Sequence, residues 1–271
     1  SGKDASAIKT DGTLWSWGYN VRGSGGWNEA SDTASRSSPV QLPGTTWAHV
    51  AKSLPGSLAV KTDGTLWTWG SGVTGGNGTG NNTSYSSPTQ IGTDTTWNTE
   101  DYTCARGQGS STPMSVAGAI KTDGTLWTWG EQESNGALGH NEGPGNNYSS
   151  PKQVPGSQYR KITATRSGFR TLRGTPGNLV FAGWGNNGYG VLGKNNEAQY
   201  KEPTTIPGAW ADIDSGGYAT IGIKTNGTLW MWGDNWYGSL GQNQGSDGHG
   251  NSRSSPTQIG TGTDWSKCAC G

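Results

Sequence analysis

Charge is scarce in this chain. Only 14% of its 271 residues are charged, 19 of each sign, and the formal net charge is zero. No block of Lys and Arg occurs. The basic patch that nucleic-acid binding needs to displace phosphate counterions is therefore missing, and no nucleic-acid partner is expected. No run of 18 apolar residues is present, which excludes a spanning helix and predicts no membrane insertion. Cysteine is limited to Cys104, Cys268 and Cys270, an odd number with no zinc-ribbon spacing. Cys268 stands where other units carry Val50, Ile162 and Ile213, so it reads as a buried small hydrophobe. Disulfide formation is left open.

Familiar catalytic patterns are missing too. The histidines His49, His140 and His249 have no His or Cys at ligand spacing, and His49 reads as structural. No Gly-X-Ser-X-Gly elbow leads into a helix. Gly23–Gly26 and Gly75–Gly78 precede no helix, so they form no phosphate cradle. The carboxylates Glu100–Asp101 and Glu131/Glu133 read as solvated loop pairs rather than a glycosidase dyad. The loops 234–238 and 247–251 are rich in oxygen but do not match the calcium loop with its distal Glu; turn chemistry explains them. No enzyme activity, cofactor or metal is expected.

Tryptophan, at 15 residues, and glycine, at 48, are abundant. The phrase Lys-Thr-Asp-Gly-Thr-Leu-Trp-X-Trp-Gly stands at 9–18, 61–70 and 121–130, with a near copy at 224–233 and a worn copy ending at Trp184-Gly185. Self-similarity at a fixed period marks one supersecondary unit stacked several times. The unit reads as a strand, an Asp-Gly hairpin turn, and a returning strand whose two Trp share one side. A Gly/Asn/Ser loop follows, then an extended Ser-Pro-X-Gln segment and a strand opening on Trp47, Trp97, Tyr159, Trp210 or Trp265. The fourth unit, around Thr175–Phe181, predicts a longer and looser hairpin.

Four short strands per unit, with apolar residues on both sides, predict an all-β fold: a β-propeller of four-stranded blades. The whole of 1–271 reads as a single domain with repeats at about 1–52, 53–106, 107–167, 168–215 and 216–271. The ends are in phase, since Cys270-Gly271 and Ser1-Gly2 both align with Ser215-Gly216. This predicts a five-bladed ring in which 264–271 pairs beside 5–18; the rival reading is part of a larger ring. The chain opens at Ser1 inside a repeat, which reads as a trimmed piece of something longer.

These phrases, with Gly-X-Leu-Gly at Gly136–Gly139, Gly190–Gly193 and Gly238–Gly241, resemble the regulator-of-chromosome-condensation repeat family over essentially the whole chain. The resemblance implies a β-propeller, usually of seven blades, whereas five units are visible here. Its best-known eukaryotic members are exchange factors for a small GTPase, but no basic tail or acidic cluster carries that role over. The near-identical copies look most like bacterial and phage versions, which implies a secreted, cell-surface or virion location.

Function falls to the residues the repeat leaves over. Fold alone does not supply it. Trp27, Trp236, Tyr19, Tyr85 and Tyr148 lie in connections among Asn, Ser and Gly, a composition suited to contact surfaces; Tyr189 and Tyr237 read as rings folded over blade edges. The favoured reading is a non-enzymatic scaffold that presents loops to a protein partner or to copies of itself. A carbohydrate-binding propeller that takes a glycan partner is the alternative, and a glycan hydrolase the second alternative.

Overall fold

A computed structural model describes residues 4–29, 34–54, 56–108, 115–165, 167–244 and 251–270. These residues form nineteen strands and three single 3-10 turns. The first sheet has three strands, β1 (Asp4–Ile8), β2 (Leu14–Gly18) and β3 (Arg36–Gln41). Four four-stranded antiparallel sheets follow: β4 (Trp47–Ser53) to β7 (Tyr85–Gln90), β8 (Cys104–Gln108) to β11 (Tyr148–Gln153), β12 (Tyr159–Thr165) to β15 (Tyr200–Ile206), and β16 (Trp210–Ser215) to β19 (Arg253–Gln258). Neighbouring sheets touch through their first strands, β4 with β8, β8 with β12, and β12 with β16. These strands line the axis, as in a propeller.

The repeated phrase folds as a self-contained turn. Asp63 Oδ1 accepts the Thr65 amide at 3.0 Å and the Thr65 hydroxyl at 2.7 Å; Thr65 Oγ1 accepts the Trp67 indole N–H at 2.8 Å. The Lys61 ammonium sits 3.8 Å from the Trp67 ring centroid, a cation–π contact. The units at 9–15, 121–127 and 224–230 reproduce this chain of bonds, Asn226 Oδ1 serving where the others use Asp.

The second Trp of the last four phrases holds the sheets together, whereas Trp17 of the first is only half-buried. Trp69, Trp129, Trp184 and Trp232 are fully buried. Three of them donate across to the preceding sheet's loop: Trp69 to the Ser24 carbonyl, Trp184 to Ala137 and Trp232 to Val191, at 3.0, 3.1 and 3.0 Å. Gly139 and Gly193 close these loops at φ +78° and +71°, and a Cβ at either would strike the indole beneath. The Leu side of each strand faces the other way, so that Leu66 packs with Trp97 and Trp129 of the next sheet.

Trp47–Ser53 opens the second sheet. Two expectations need correction. The fourth hairpin is longer but not looser: β13 (Gly168–Thr175) and β14 (Asn178–Gly185) pair at eight consecutive positions without a slip. The C-terminal segment does not complete the first sheet. Among the described residues, 264–270 forms no strand and β1 is paired only with β2. The reason lies in β16. Asp212 and Asp214 accept Lys161 and Thr163 from one side, and their second oxygens take the amides of Cys268 and Cys270 at 3.1 and 2.8 Å. The segment is held by side chains of the last sheet, and Cys268 is half-buried rather than sealed in a core. Residue 271 lies outside the described residues.

Candidate functional site

The two ends of each sheet differ in kind. At one end are the Asp-Gly turns. At the other, the chain leaves the Trp-Gly strand and enters the long loops. Two residues past each Trp-Gly glycine stands Asn20, Gln132, Asn187 or Asn235, in four units of five. All four are buried. Each amide oxygen accepts a backbone N–H from the loop's far arm: Gly25, Leu138, Leu192 and Leu240, at 2.8 to 3.0 Å. Each amide nitrogen donates to a carbonyl further on, at Glu29, Glu142, Ala198 and Gln244. One buried amide thus ties both arms of a loop and satisfies its backbone groups.

The second unit has Gly72 at that position. There Asn77 braces the loop through the Gly70 and Thr83 carbonyls. Arg106, fully buried, donates to Asn77 Oδ1, Thr68 Oγ1 and the carbonyls of Ser57 and Ser71. Desolvation lowers its pKa to about 9. The sequence reading missed these braces. Their signal was the fixed two-residue offset, hidden among many other Asn that serve turns.

On this braced frame the rings separate. Tyr19 and Trp236, each 37% exposed, project at the loop end of the first and fifth sheets. Tyr237, beside Trp236 at 5.7 Å between centroids, is 84% exposed. It does not fold back as expected. Its counterpart Tyr189 does, packing edge-on against Tyr218 of the following sheet at 5.6 Å, whereas Tyr237 stands on the fifth and last sheet among the described residues. Trp27 is half-buried against Gly25, with the Arg36 guanidinium 5.8 Å from its ring. Tyr85 and Tyr148 open the outermost strands β7 and β11. Their hydroxyls are engaged, Tyr85 with Thr79 Oγ1 and Tyr148 with Glu142 Oε2. Tyr19 thus stands at the loop end of the first sheet and Trp236 with Tyr237 at that of the fifth, while Trp27 packs within its own loop and Tyr85 and Tyr148 lie on outer strands.

The acidic pair Glu131/Glu133 departs from its solvated reading. Glu133 is 9% exposed; its oxygens accept Ser167 Oγ and Asn135 Nδ2, both at 3.0 Å. Burial, reinforced by Glu133, pushes the Glu131 carboxyl up to about 7. A lone acid in a loop is solvated, but this loop is closed by Ser167 of the next sheet. Burial also lowers His140, packed on Tyr148, to about 4, and His49 is tucked beside Tyr102. Among the described residues, no three His, Cys, Asp or Glu gather as metal ligands, and no helix is long and apolar enough to cross a membrane.

Antiparallel sheets stacked edge to axis, each locked to the last by a Trp under a glycine loop, define a repeat β-propeller. Two family models, both described as Regulator of chromosome condensation (RCC1) repeat, match residues 123–168 and 210–242. Residues 123–168 and 210–242 are RCC1 repeats, and the fold in which they sit is a β-propeller. It is 35% identical over 119 residues to the mitochondrial RCC1 domain-containing protein RUG3 of Arabidopsis thaliana, covering 42% of this chain and 26% of that one. Human WBSCR16 superposes with a TM-score of 0.76 at 20% identity, over 96% of this chain and 65% of the other. Saccharomyces cerevisiae Prp20p, described with its binding to Gsp1p and histones, superposes with a TM-score of 0.74 at 17% identity, over 96% and 61%. The chain thus spans about a quarter of the plant relative and under two thirds of either solved chain.

Proposed function

We propose that the chain is a non-enzymatic scaffold that binds a protein partner through its loop end. The observation that carries this reading is the pairing of buried amide braces with exposed rings. Asn235 is fixed by bonds to Leu240 and Gln244, and the next two residues are the exposed Trp236 and Tyr237. Rings on a rigid frame lose little freedom on binding, so more of their contact area appears as affinity. Protein binding by the similar Prp20p supports the class of function. The identity of its partners is not carried over. The likeness of the repeats to bacterial and phage forms favours the cell surface or a virion as the location, with packing into a larger assembly as one form of partner.

A glycan-binding reading draws on one further feature. The Trp97, Lys121, Asp94 and Trp127 side chains line an inter-sheet groove of about 320 Å³, and its Trp–Lys pair recurs at other units. A hydrolase reading is weaker, because Glu133 is already committed to Ser167 and Asn135.

The test is the triple variant Tyr19→Ala, Trp236→Ala, Tyr237→Ala. A partner copurifying with the wild-type chain from its own source is identified and its affinity measured. The triple variant should lose it at least tenfold while keeping the wild-type melting temperature. Unchanged affinity would sink the reading, and repeat-symmetric binding on a glycan array would replace it.

A further inference from the structure

We infer that the groove between the second and third sheets is a binding site for one neutral hexose residue of a glycan. The groove has a volume of about 320 Å³; Ile91, Trp97 and Trp127 form its apolar wall, and Asp94 and Lys121 its polar one. That size is at the small end of ligand pockets, which suits one sugar ring rather than a chain. The inference goes beyond the loop-end partner and gives the glycan-binding reading a single site.

The chain opens this groove where the repeat would close it. Asn28, Gly80, Asn141 and Asn195 hold one loop position, since each N–H donates to a carbonyl on the outer strand of the next sheet. At two junctions the asparagine side chain also crosses to that strand. Ser87 Oγ donates to Asn28 Oδ1, and Ser255 Oγ to Asn195 Oδ1, both at 3.1 Å. Gly80 has no side chain, so Ser150, which stands where Ser87 and Ser255 stand, lacks that amide. The position before is Trp27, His140 or Lys194 in the other three loops and only Thr79 here. Thr79, Gly80 and Ser150 all line the groove.

One buried donor in the wall is unmet. The Trp47 indole N–H donates to the Pro43 carbonyl at 3.1 Å, and the Tyr159 hydroxyl to the Pro155 carbonyl at 2.7 Å. In the second unit the segment from Ile91 to Trp97 is one residue longer, and Gly92-Thr93-Asp94 replaces the Pro-Gly. Trp97 is 3% exposed, and its N–H has no hydrogen-bond partner among the described residues. The Trp210 N–H is also unpartnered, but there Gly208 lies against the indole nitrogen. Buried donors are ordinarily satisfied, so the groove calls for a ligand that carries an acceptor oxygen.

The polar wall narrows the choice. Lys121 Nζ and Asp94 Oδ2 are 2.5 Å apart, and the ammonium is 4.3 Å from the Trp127 ring centroid and 5.1 Å from that of Trp97. Bonds from Lys121 and from the Thr96 hydroxyl and amide hold the Asp94 carboxyl down to about 2. The pair is therefore ionised, with no net charge. A hydroxyl both donates and accepts, so a sugar hydroxyl can accept a hydrogen bond from Lys121 while donating one to Asp94. An acidic sugar would bring a like charge to Asp94. An apolar side chain of a protein would leave the Trp97 N–H unmet and strip water from the ion pair without replacing it. A neutral hexose has an apolar C–H face for the indole wall and hydroxyls for the other.

Methyl glycosides of glucose, galactose, mannose and N-acetylglucosamine are titrated into the full chain by saturation-transfer NMR and tryptophan fluorescence, with galacturonate as the acidic counterpart. At least one neutral glycoside should bind at a single site with a dissociation constant on the order of 1 mM, as fits so small a ligand, and galacturonate should not. Gly80→Asn copies the chain's own closed junctions. Asn tolerates the left-handed backbone, and a Cβ there meets nothing nearer than Ser150 Oγ at 3.7 Å, so the fold should survive; the melting temperature checks this. The variant should weaken sugar binding about tenfold or more and still bind the loop-end partner. Asp94→Ala, an independent probe on a partly exposed ion pair, should weaken sugar binding as much. Lys224→Ala, at the fifth sheet's own indole pair, should leave it unchanged. No saturable binding by any neutral glycoside, preference for galacturonate, wild-type binding by both Gly80→Asn and Asp94→Ala, or an equal loss in Lys224→Ala would overturn the site, while the loop-end reading would stand.

Discussion

Trp67 and Trp69 lie two residues apart on one strand and on the same side of it, yet they belong to different structures. Trp67 is part of the turn end. Its N–H stays at home on Thr65 and Lys61 covers its ring. Trp69 is part of the loop end. Its N–H crosses to the Ser24 carbonyl of the preceding sheet, and it is fully buried. The first kind of contact closes within ten residues of sequence; the second needs two sheets. Letter-for-letter repetition therefore marks a locally satisfied fold, while the variable loop end joins sheets and holds whatever the fold does not use.

Mutation can break this contrast most directly at the two indoles. Trp69→Ala leaves a cavity between sheets and the Ser24 carbonyl with only the Ser57 hydroxyl as donor, and should cost about 3–5 kcal/mol. Trp67→Ala removes a half-buried ring and should cost about 1–2 kcal/mol by the area it withdraws from water. Urea unfolding of the two variants measures both. Equal losses would mean that the turn end is as much a junction as the loop end. Because stacked repeats can unfold piecemeal, hydrogen exchange should also show Trp69→Ala opening the first two sheets before the last two.

The amide braces sharpen the same point. Asn187 holds Leu192, Ala198 and Asn196. Asn187→Ala leaves a buried amide and carbonyls unpaired, at about 1–3 kcal/mol. The loss of exchange protection should be confined to 186–199. A global loss instead would show that the brace acts on the sheet junction rather than on its own loop.

Much of the fold was legible because the turn module is complete in sequence: Lys, Asp, Thr and Trp at fixed offsets meet one another wherever the phrase occurs. Sheet type followed, as did four strands in each of the last four sheets. The fate of 264–270 was not legible, since it depends on Asp212 and Asp214 reaching across to neighbouring chain segments. The same limit hid the candidate sites. Asn20, Gln132, Asn187 and Asn235 resemble ordinary turn formers until both arms of the loop are in place. Glu131 and Glu133 looked solvated until Ser167 of the next sheet closed over them. Exposed aromatics could be named from sequence, but which of them share a frame could not.

The Glu131 carboxyl tests that cross-sheet burial by pH. Its folded value of about 7 lies above the ordinary 4.5. Above pH 4.5 the native chain thus holds a proton that the unfolded chain has released, and stability falls as pH rises toward 7. Glu131→Gln should remove this decline and be more stable than wild type at pH 8 by about 1 kcal/mol, allowing for partial solvent screening. Parallel pH profiles for variant and wild type would place Glu131 in solvent after all.

The smallest effect belongs to the turn end and asks whether its chemistry is charge or geometry. Asp123 Oδ1 accepts the Thr125 amide and hydroxyl at 2.9 and 2.7 Å, and these bonds hold its carboxyl below the usual 3.8. Asn226 makes the same two bonds without a charge. Asp123→Asn should therefore be nearly neutral at pH 7, whereas Asp123→Ala should lose the turn's anchor and up to about 1 kcal/mol, the worth of an exposed hydrogen bond. With a depressed folded pKa, the wild-type contribution is present above pH 4 and fades as pH falls through the folded value. The Asn variant should not show that acid-side loss. Melting curves from pH 2.5 to 7 on the three proteins separate the cases: if Asn is as damaging as Ala, the turn depends on charge, and Asn226 is a weak copy rather than an equivalent one.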